Sequence, residues 1–208
     1  MSTIRKQLKF TLFVIFRPFK GFWEMKYESY GSLRAALTIL LLLALSTVFK
    51  QQFSGYIVNF NLIDELNTIN QLVYVILPFF LWCVANWSTT TLMDGEGKFG
   101  EIVMATGYAM FPMMVLYFVQ TLFSNVITQE EAAFYYFLDT LAVIWLVWLL
   151  YVGMMTVHQY TPGKTVVTMV LTVIVCGIIL FIGLLFFSLI QQIVGFAQTI
   201  YKELVFRT

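Results

Sequence analysis

The sequence predicts an all-α protein: a polytopic membrane helical bundle of five transmembrane helices with an N-terminal interfacial amphipathic segment. Hydrophobic residues make up 60% of the 208 positions and charged residues only 11%, whereas soluble domains carry about 25% charged residues. A chain so poor in charge cannot cover a water-facing surface. Long apolar segments also alternate with short polar ones, which is typical of helices that cross a bilayer repeatedly.

The first element, residues 1–31, mixes aromatic and basic side chains and is predicted to lie at the membrane surface. Anionic headgroups attract such cations at about 1 kcal/mol each, and aromatic rings settle at the interface. Two interpretations remain open: a surface helix that also docks a partner, or an anchor that fixes the topology. The expected anchor residues are Arg5, Lys6, Lys9, Arg17, Lys20, Trp23 and Lys26.

The second element, residues 32–190, contains five apolar segments that are each long enough to cross about 30 Å of hydrocarbon as a helix. No charged residue appears between Lys164 and Lys202. Residues 191–208 are therefore predicted to form an amphipathic tail that leaves the bilayer or lies along its surface. The five predicted crossings are residues 33–49, 71–92, 102–126, 132–157 and 165–190.

The basic residues predict the orientation. Seven of the twelve Lys and Arg residues precede residue 35, and Lys98 and Lys164 fall on the same side after an even number of crossings. Nine basic residues therefore face three, and the side richer in Lys and Arg is normally cytoplasmic. We expect a multi-pass protein of the plasma membrane with a cytoplasmic N-terminus and the C-terminus outside.

Residues 94–101, between the second and third crossings, contain the pattern G-x-G-x-x-G at Gly95, Gly97 and Gly100. A dinucleotide-binding loop with this spacing needs a preceding strand and an acidic residue about 20 positions later. Here a membrane helix precedes the glycines, and Gln120 occupies the later position. We therefore expect a tight turn in which glycine lets the chain reverse, and no nucleotide.

Polar groups within the crossings are the candidate functional residues, together with Tyr108. Asn86, Thr89 and Thr90 share one face of the second crossing, where such residues either bond to neighbouring helices or line a polar pocket. Asp139 lies near the outer end of the fourth crossing, either as a functional group or within reach of the headgroups.

Two prolines also fall inside predicted crossings, Pro78 in the second and Pro112 in the third. Each removes a backbone hydrogen bond and favours a kink. Kinks serve as binding sites in transporters and also occur as static packing features, and both interpretations remain open.

Nothing in the sequence predicts a catalytic, metal or cofactor site. Asp94 and Glu96 belong to a turn whose three carboxylates lack calcium-loop spacing, so a solvated turn is expected. His158, the single histidine, is expected to be structural and interfacial. Because no nucleophile, base and orienting group can be assembled, we expect no enzyme, no cofactor and no nucleic-acid partner.

The order of these features resembles the Yip domain family of five-span membrane proteins, whose eukaryotic members contact Rab-type GTPases. The resemblance rests on the segment at residues 17–32, before the first crossing, and on residues 86–115, which carry Asn86, the glycine turn, Gly107-Tyr108 and Pro112. It is greatest for the bacterial branch. It implies a five-helix bundle without enzymatic activity.

Two functional hypotheses follow. The first is a scaffold or accessory subunit that binds another membrane complex. The resemblance to the bacterial branch suggests an import transporter as that complex. Association of the chain with copies of itself is also compatible with this hypothesis. The second is a small transporter or lipid-handling carrier that uses the kinked second and third crossings, with Asp139 and the polar edge at Asn86 lining its path.

Overall fold

The computed structural model describes residues 2–59 and 67–206, with side chains of residues 2–5 and 8 outside that description. The described residues form α-helices and one 3-10 turn, without a strand. The helices are α1 (Ser2–Phe16), α2 (Pro18–Tyr27), α3 (Leu33–Phe53), α4 (Thr68–Leu92), α5 (Phe99–Ala109), α6 (Phe111–Ser124), α7 (Ala132–His158) and α8 (Pro162–Phe206).

Five helical segments are long and apolar enough to cross a membrane, which confirms the predicted all-α, five-span bundle. Four of these segments contain the single helices α3, α4, α7 and α8. The third crossing consists of α5 followed by α6. The two halves of the third crossing separate at Met110, two residues before Pro112, which lies in the first turn of α6. Proline is tolerated there because the first turn has no intrahelical partner for its missing N–H. Helix α4, in contrast, continues through Pro78.

The N-terminal segment folds into two helices packed on the bundle, which we call the α1–α2 hairpin. Pro18 begins α2 and separates it from α1. At Gly21 the two helices approach so closely that a Cβ atom there would lie 2.6 Å from the Cα of Val14. Phe22 and Met25 are fully buried against the bundle. The hairpin is therefore an integral part of the tertiary structure.

The start of α3 serves as the reference height from which positions along the bundle axis are measured. The Ser32 N–H donates to the hydroxyl of Tyr108 at 3.2 Å, nine residues along α5 from Phe99. Helix α3 has 21 residues, or about 31 Å at 1.5 Å per residue, which matches the hydrocarbon thickness. Helix α5 therefore begins about 14 Å past this height on the end that carries the hairpin. We call this end the N-terminal side and the opposite end the distal side.

Helix α8 packs mainly on α4 and is much longer than its partner. Asn86 of α4 bonds to Thr172, and the thiol of Cys176 donates to the Leu81 carbonyl. This antiparallel register places the start of α4, Thr68, level with about residue 190. No break in α8 occurs there. Its last 16 residues, 191–206, continue about 24 Å past the start of α4 and are exposed.

Candidate functional site

Buried polar side chains gather on the N-terminal side, where α4 and the turn that follows it meet α7 and α8. At their centre is His158, the last residue of α7, which is 1% exposed. Its Nδ1 accepts the Gly97 N–H at 3.3 Å. Its Nε2 therefore carries the proton and donates to the Asn86 carbonyl oxygen at 3.1 Å. The neutral imidazole thus links α7 to α4 and to the turn that follows α4.

Asn86 extends this network to the fifth crossing. Its amide nitrogen donates to the Thr172 hydroxyl at 3.2 Å, and that hydroxyl donates to the Thr168 carbonyl at 2.7 Å. The buried residues of α8 are Thr165, Thr168 and Thr172, so the first part of α8 buries hydroxyl groups against the bundle. We call the connected residues the polar node; they are His158, Asn86, Gly97, Thr172 and Thr168.

The other two polar residues of this edge are satisfied locally. Thr89 donates to the Ala85 carbonyl at 2.8 Å, and Thr90 donates to the Asn86 carbonyl at 2.7 Å. Both side chains are buried. Of the three side chains on this edge, Asn86 bonds to neighbouring helices, whereas Thr89 and Thr90 bond within α4.

The glycine turn is held against the polar node by close approach. A Cβ atom on Gly97 would lie 2.6 Å from both His158 Cε1 and Val157 Cγ1, and one on Gly95 would lie 2.7 Å from His158 Nδ1. A Cβ atom on Gly100 would meet nothing within 4 Å. None of these glycines has a positive φ, whereas Asp94 does, at 54°.

The chain does reverse at this turn, but the prediction that the glycines allow the reversal was wrong. The reversal uses the left-handed conformation of Asp94, followed by a Gly95 N–H that donates to the Thr90 carbonyl at 2.8 Å. Gly95 and Gly97 are needed because any side chain would collide with the imidazole and its neighbours.

Lys26 ties the α1–α2 hairpin to the same region. Its side chain is 9% exposed, its Nζ donates to the Val157 carbonyl at 2.6 Å, and it pairs with Glu96 at 3.7 Å. A cation at the C-terminal end of α7 is favoured by the helix dipole. Gln159 completes the link by donating to both Tyr27 and Glu96. Lys26, predicted as a surface anchor, is thus a buried connector.

Tyr160 closes the polar node from the loop between α7 and α8. Its ring stacks on His158 with centroids 5.4 Å apart, and its hydroxyl donates to the Met93 carbonyl at 3.0 Å. Burial, and secondarily the negative charge of Asp94, raises the pKa of this phenol above its ordinary value. Tyr160 therefore stays neutral and keeps donating throughout the physiological range.

The remaining anchor residues whose side chains are described differ from Lys26 because they are exposed. Arg17, Lys20 and Trp23 lie on the open face of the α1–α2 hairpin, and Lys6 and Lys9 lie on α1. The side chain of Arg5 lies outside the described part of the chain.

Asp139 belongs to a separate cluster on the distal side. Its carboxylate pairs with Lys50 of α3 at 2.5 Å, and the Lys50 ammonium lies 4.3 Å from the ring centre of Tyr117 and 5.3 Å from that of Tyr135. This ion pair borders a polar cavity of about 270 Å3 that Gln51 also lines. Asp139 therefore has a partner within the bundle.

The structure does not bring all candidate residues together. Asp139 precedes His158 by 19 residues along α7, which places it about 28 Å from the polar node. The turn carboxylates also serve separate partners: Glu96 bonds to Lys26 and Gln159, and Glu101 accepts the Lys98 N–H at 3.1 Å. Sequence reasoning missed Lys50 as the partner of Asp139, although both lie about one to two turns from an outer helix end.

The model of the Yip1 domain matches residues 12–199. The chain belongs to the Yip1 domain family. The matched region contains α2 to α7 entirely, most of α8 and the last five residues of α1. With the five apolar helices, it establishes a multi-pass membrane protein. No curated protein and no solved structure matches the chain.

Within this Yip1 domain, Gly107-Tyr108 also has a packing reason. A Cβ atom on Gly107 would lie 2.6 Å from the Cβ of Ala36, so α3 and α5 meet through small residues. The neighbouring Tyr108 is fully buried and receives the Ser32 N–H. Together they fix where α3 begins relative to α5.

Proposed function

We propose that this Yip1 domain protein is a non-enzymatic membrane scaffold or accessory subunit that binds another membrane complex through the open face of its α1–α2 hairpin. The supporting observation is that the hairpin is rigidly docked and yet presents a row of aromatic side chains. Phe22, Met25 and Lys26 hold the hairpin on the bundle. A docked, preordered surface loses little conformational entropy when it binds a partner.

The aromatic row runs along the exposed side of α2, where Phe19 also contacts Trp148 of α7. Phe19, Trp23 and Tyr27 recur every four residues along α2 and are each about half exposed, and Phe16 of α1 is 75% exposed. Arg17 and Lys20 border the row. Aromatic residues and arginine are the side chains that most often dominate binding energy at protein interfaces. An import transporter is the partner class that we propose.

The orientation is part of this proposal. The plasma membrane is the proposed location, with the N-terminal side in the cytoplasm and the C-terminus outside. Labelling with a membrane-impermeant thiol reagent tests it. Lys98→Cys is expected to stay unlabelled in intact cells and Gln198→Cys to be labelled, and the opposite result would contradict the orientation.

The scaffold role is tested by purifying the protein from native membranes and identifying what travels with it. The variant Phe16→Ala with Trp23→Ala is expected to weaken the affinity for the partner by at least about 30-fold, since one central aromatic residue alone is worth about 2 kcal/mol or more. The matched control, Tyr56→Ala with Tyr74→Ala, removes two exposed aromatics elsewhere. If the wild-type protein emerges alone or as a bare homo-oligomer, the scaffold role is wrong.

A lipid-handling carrier is the second candidate, and one observation favours it. An apolar groove of about 490 Å3 runs between α4 and α8 beside Pro78, and its surface is almost entirely hydrocarbon. Such a groove has the chemistry to hold an acyl chain. Its lining includes Leu77, Phe80, Val84, Leu180, Gly183 and Phe187.

Gly183 offers a direct test of the carrier role. A Cβ atom there meets nothing within 4 Å, so Gly183→Leu places its side chain in the groove. We expect this variant to abolish transbilayer movement of a fluorescent phospholipid in proteoliposomes. Gly177→Leu, which also enters open space but lies outside the groove, is expected to keep it. Equal behaviour of the two variants would exclude the groove as a lipid path.

A further inference from the structure

The α1–α2 hairpin also carries an open cavity, of whose lining the proposed function uses only Lys20. The cavity lies between the two helices and has a volume of about 540 Å3, which is within the usual range for small-ligand sites. Its wall combines cations with aromatic rings and one carboxylate. The lining residues are Lys6, Lys9, Lys20, Phe10, Phe13, Tyr30 and Glu24.

The charges in this wall are unbalanced. Three lysines face one glutamate, and that glutamate already pairs with Lys20 at 3.6 Å. Lys6 and Lys9 lie one turn apart on α1 and are exposed, and neither has an ion-pair partner in residues 2–59 or 67–206. The excess of two positive charges attracts an anion to this cavity.

Aromatic contacts place the cavity at the edge of the hydrocarbon. Phe10 packs edge-on against Tyr108 with centroids 5.7 Å apart, and Tyr108 marks the height at which α3 begins. Phe19 packs on Trp148, which lies ten residues from the end of α7. Because α3 is just long enough to cross the hydrocarbon, this height is one of its two boundaries. Lipid phosphates lie at that boundary.

The aromatic part of the wall explains why a lipid fits better than a free ion. Phe10 contacts Phe13 and Tyr30, with ring centroids 6.4 Å and 6.0 Å apart. These rings give the cavity an apolar floor beside the ammonium groups. An amphiphile that has a phosphate and a glycerol-linked hydrocarbon chain satisfies both parts of the wall, whereas inorganic phosphate satisfies only one.

We propose that this cavity binds the phosphate headgroup of an anionic phospholipid, with Lys6 and Lys9 as its principal cations and Lys20 as the third. The two lysines of α1 are free to turn toward the phosphate because each has an exposed, flexible side chain. Glu24 opposes the bound anion and limits the contribution of Lys20.

The test uses the full chain in nanodiscs of phosphatidylcholine containing phosphatidylglycerol, with native mass spectrometry counting the retained lipids. The wild-type chain is expected to retain one phosphatidylglycerol selectively. Lys6→Gln with Lys9→Gln is expected to lower that selectivity by about 30-fold, because each cation near the surface contributes about fivefold. Glu24→Gln is expected to raise it several-fold by releasing Lys20.

The matched control removes the same charge elsewhere on the N-terminal side. Lys98→Gln with Lys164→Gln is expected to leave the selectivity unchanged, and an equal loss would show diffuse electrostatic attraction instead of a site. Competition by millimolar glycerol phosphate as strong as that by the lipid would overturn the assignment to a lipid. A decrease in selectivity with Glu24→Gln would overturn the assignment of the cavity. The nanodiscs contain no partner protein, so these outcomes are independent of the scaffold proposal.

Discussion

The sharpest prediction concerns Gly97→Ala, compared with Gly100→Ala in the same glycine pattern. The new Cβ atom at Gly97 would lie 2.6 Å from atoms of both His158 and Val157, and both residues are fully buried, so neither can move aside freely. Overpacking of this kind costs about 1–3 kcal/mol. Displacing the turn also loses the Gly97 N–H bond to the imidazole, which adds about 1 kcal/mol.

Gly97→Ala is therefore expected to destabilise the protein by about 2–4 kcal/mol, or about 4–16 °C in melting temperature for a chain of this size. Gly100→Ala should instead be neutral or raise stability by about 0.5–1 kcal/mol, since alanine is favoured over glycine in a helix and its Cβ meets open space. The assay is thermal unfolding in detergent, followed by tryptophan fluorescence. Equal melting temperatures for the two variants would refute the close-approach explanation.

Three further predictions use the same assay. His158→Ala and Asn86→Ala should each cost about 1–3 kcal/mol by leaving a buried polar partner unsatisfied, and the double variant should cost less than the sum, with strict additivity counting against their hydrogen bond. Lys50→Met should destabilise more than Lys50→Met combined with Asp139→Leu, because the single change leaves an uncompensated charge; the reverse order would contradict the pairing. Deleting residues 191–208 should leave the melting temperature unchanged, because residues 191–206 are exposed and lie beyond the bundle; a large decrease would mean that the tail packs on it.

The local properties of the chain determined the class and the span positions. The fourth crossing, predicted at residues 132–157, is helix α7 at Ala132–His158, and the second, predicted at 71–92, is α4 at Thr68–Leu92. Such agreement is expected because transfer of an apolar segment into hydrocarbon depends on that segment's own composition and length. The break before Pro112 is also local, since proline removes a backbone donor.

Sequence by itself therefore determined that this chain crosses a membrane five times and which segments do so. Only the tertiary structure decided what its polar residues do. Gly97 meets His158 across 61 residues, Lys50 meets Asp139 across 89, and Lys26 meets the Val157 carbonyl across 131. No periodicity within one helix encodes such pairs, because they depend on which helices become neighbours and at what height they meet.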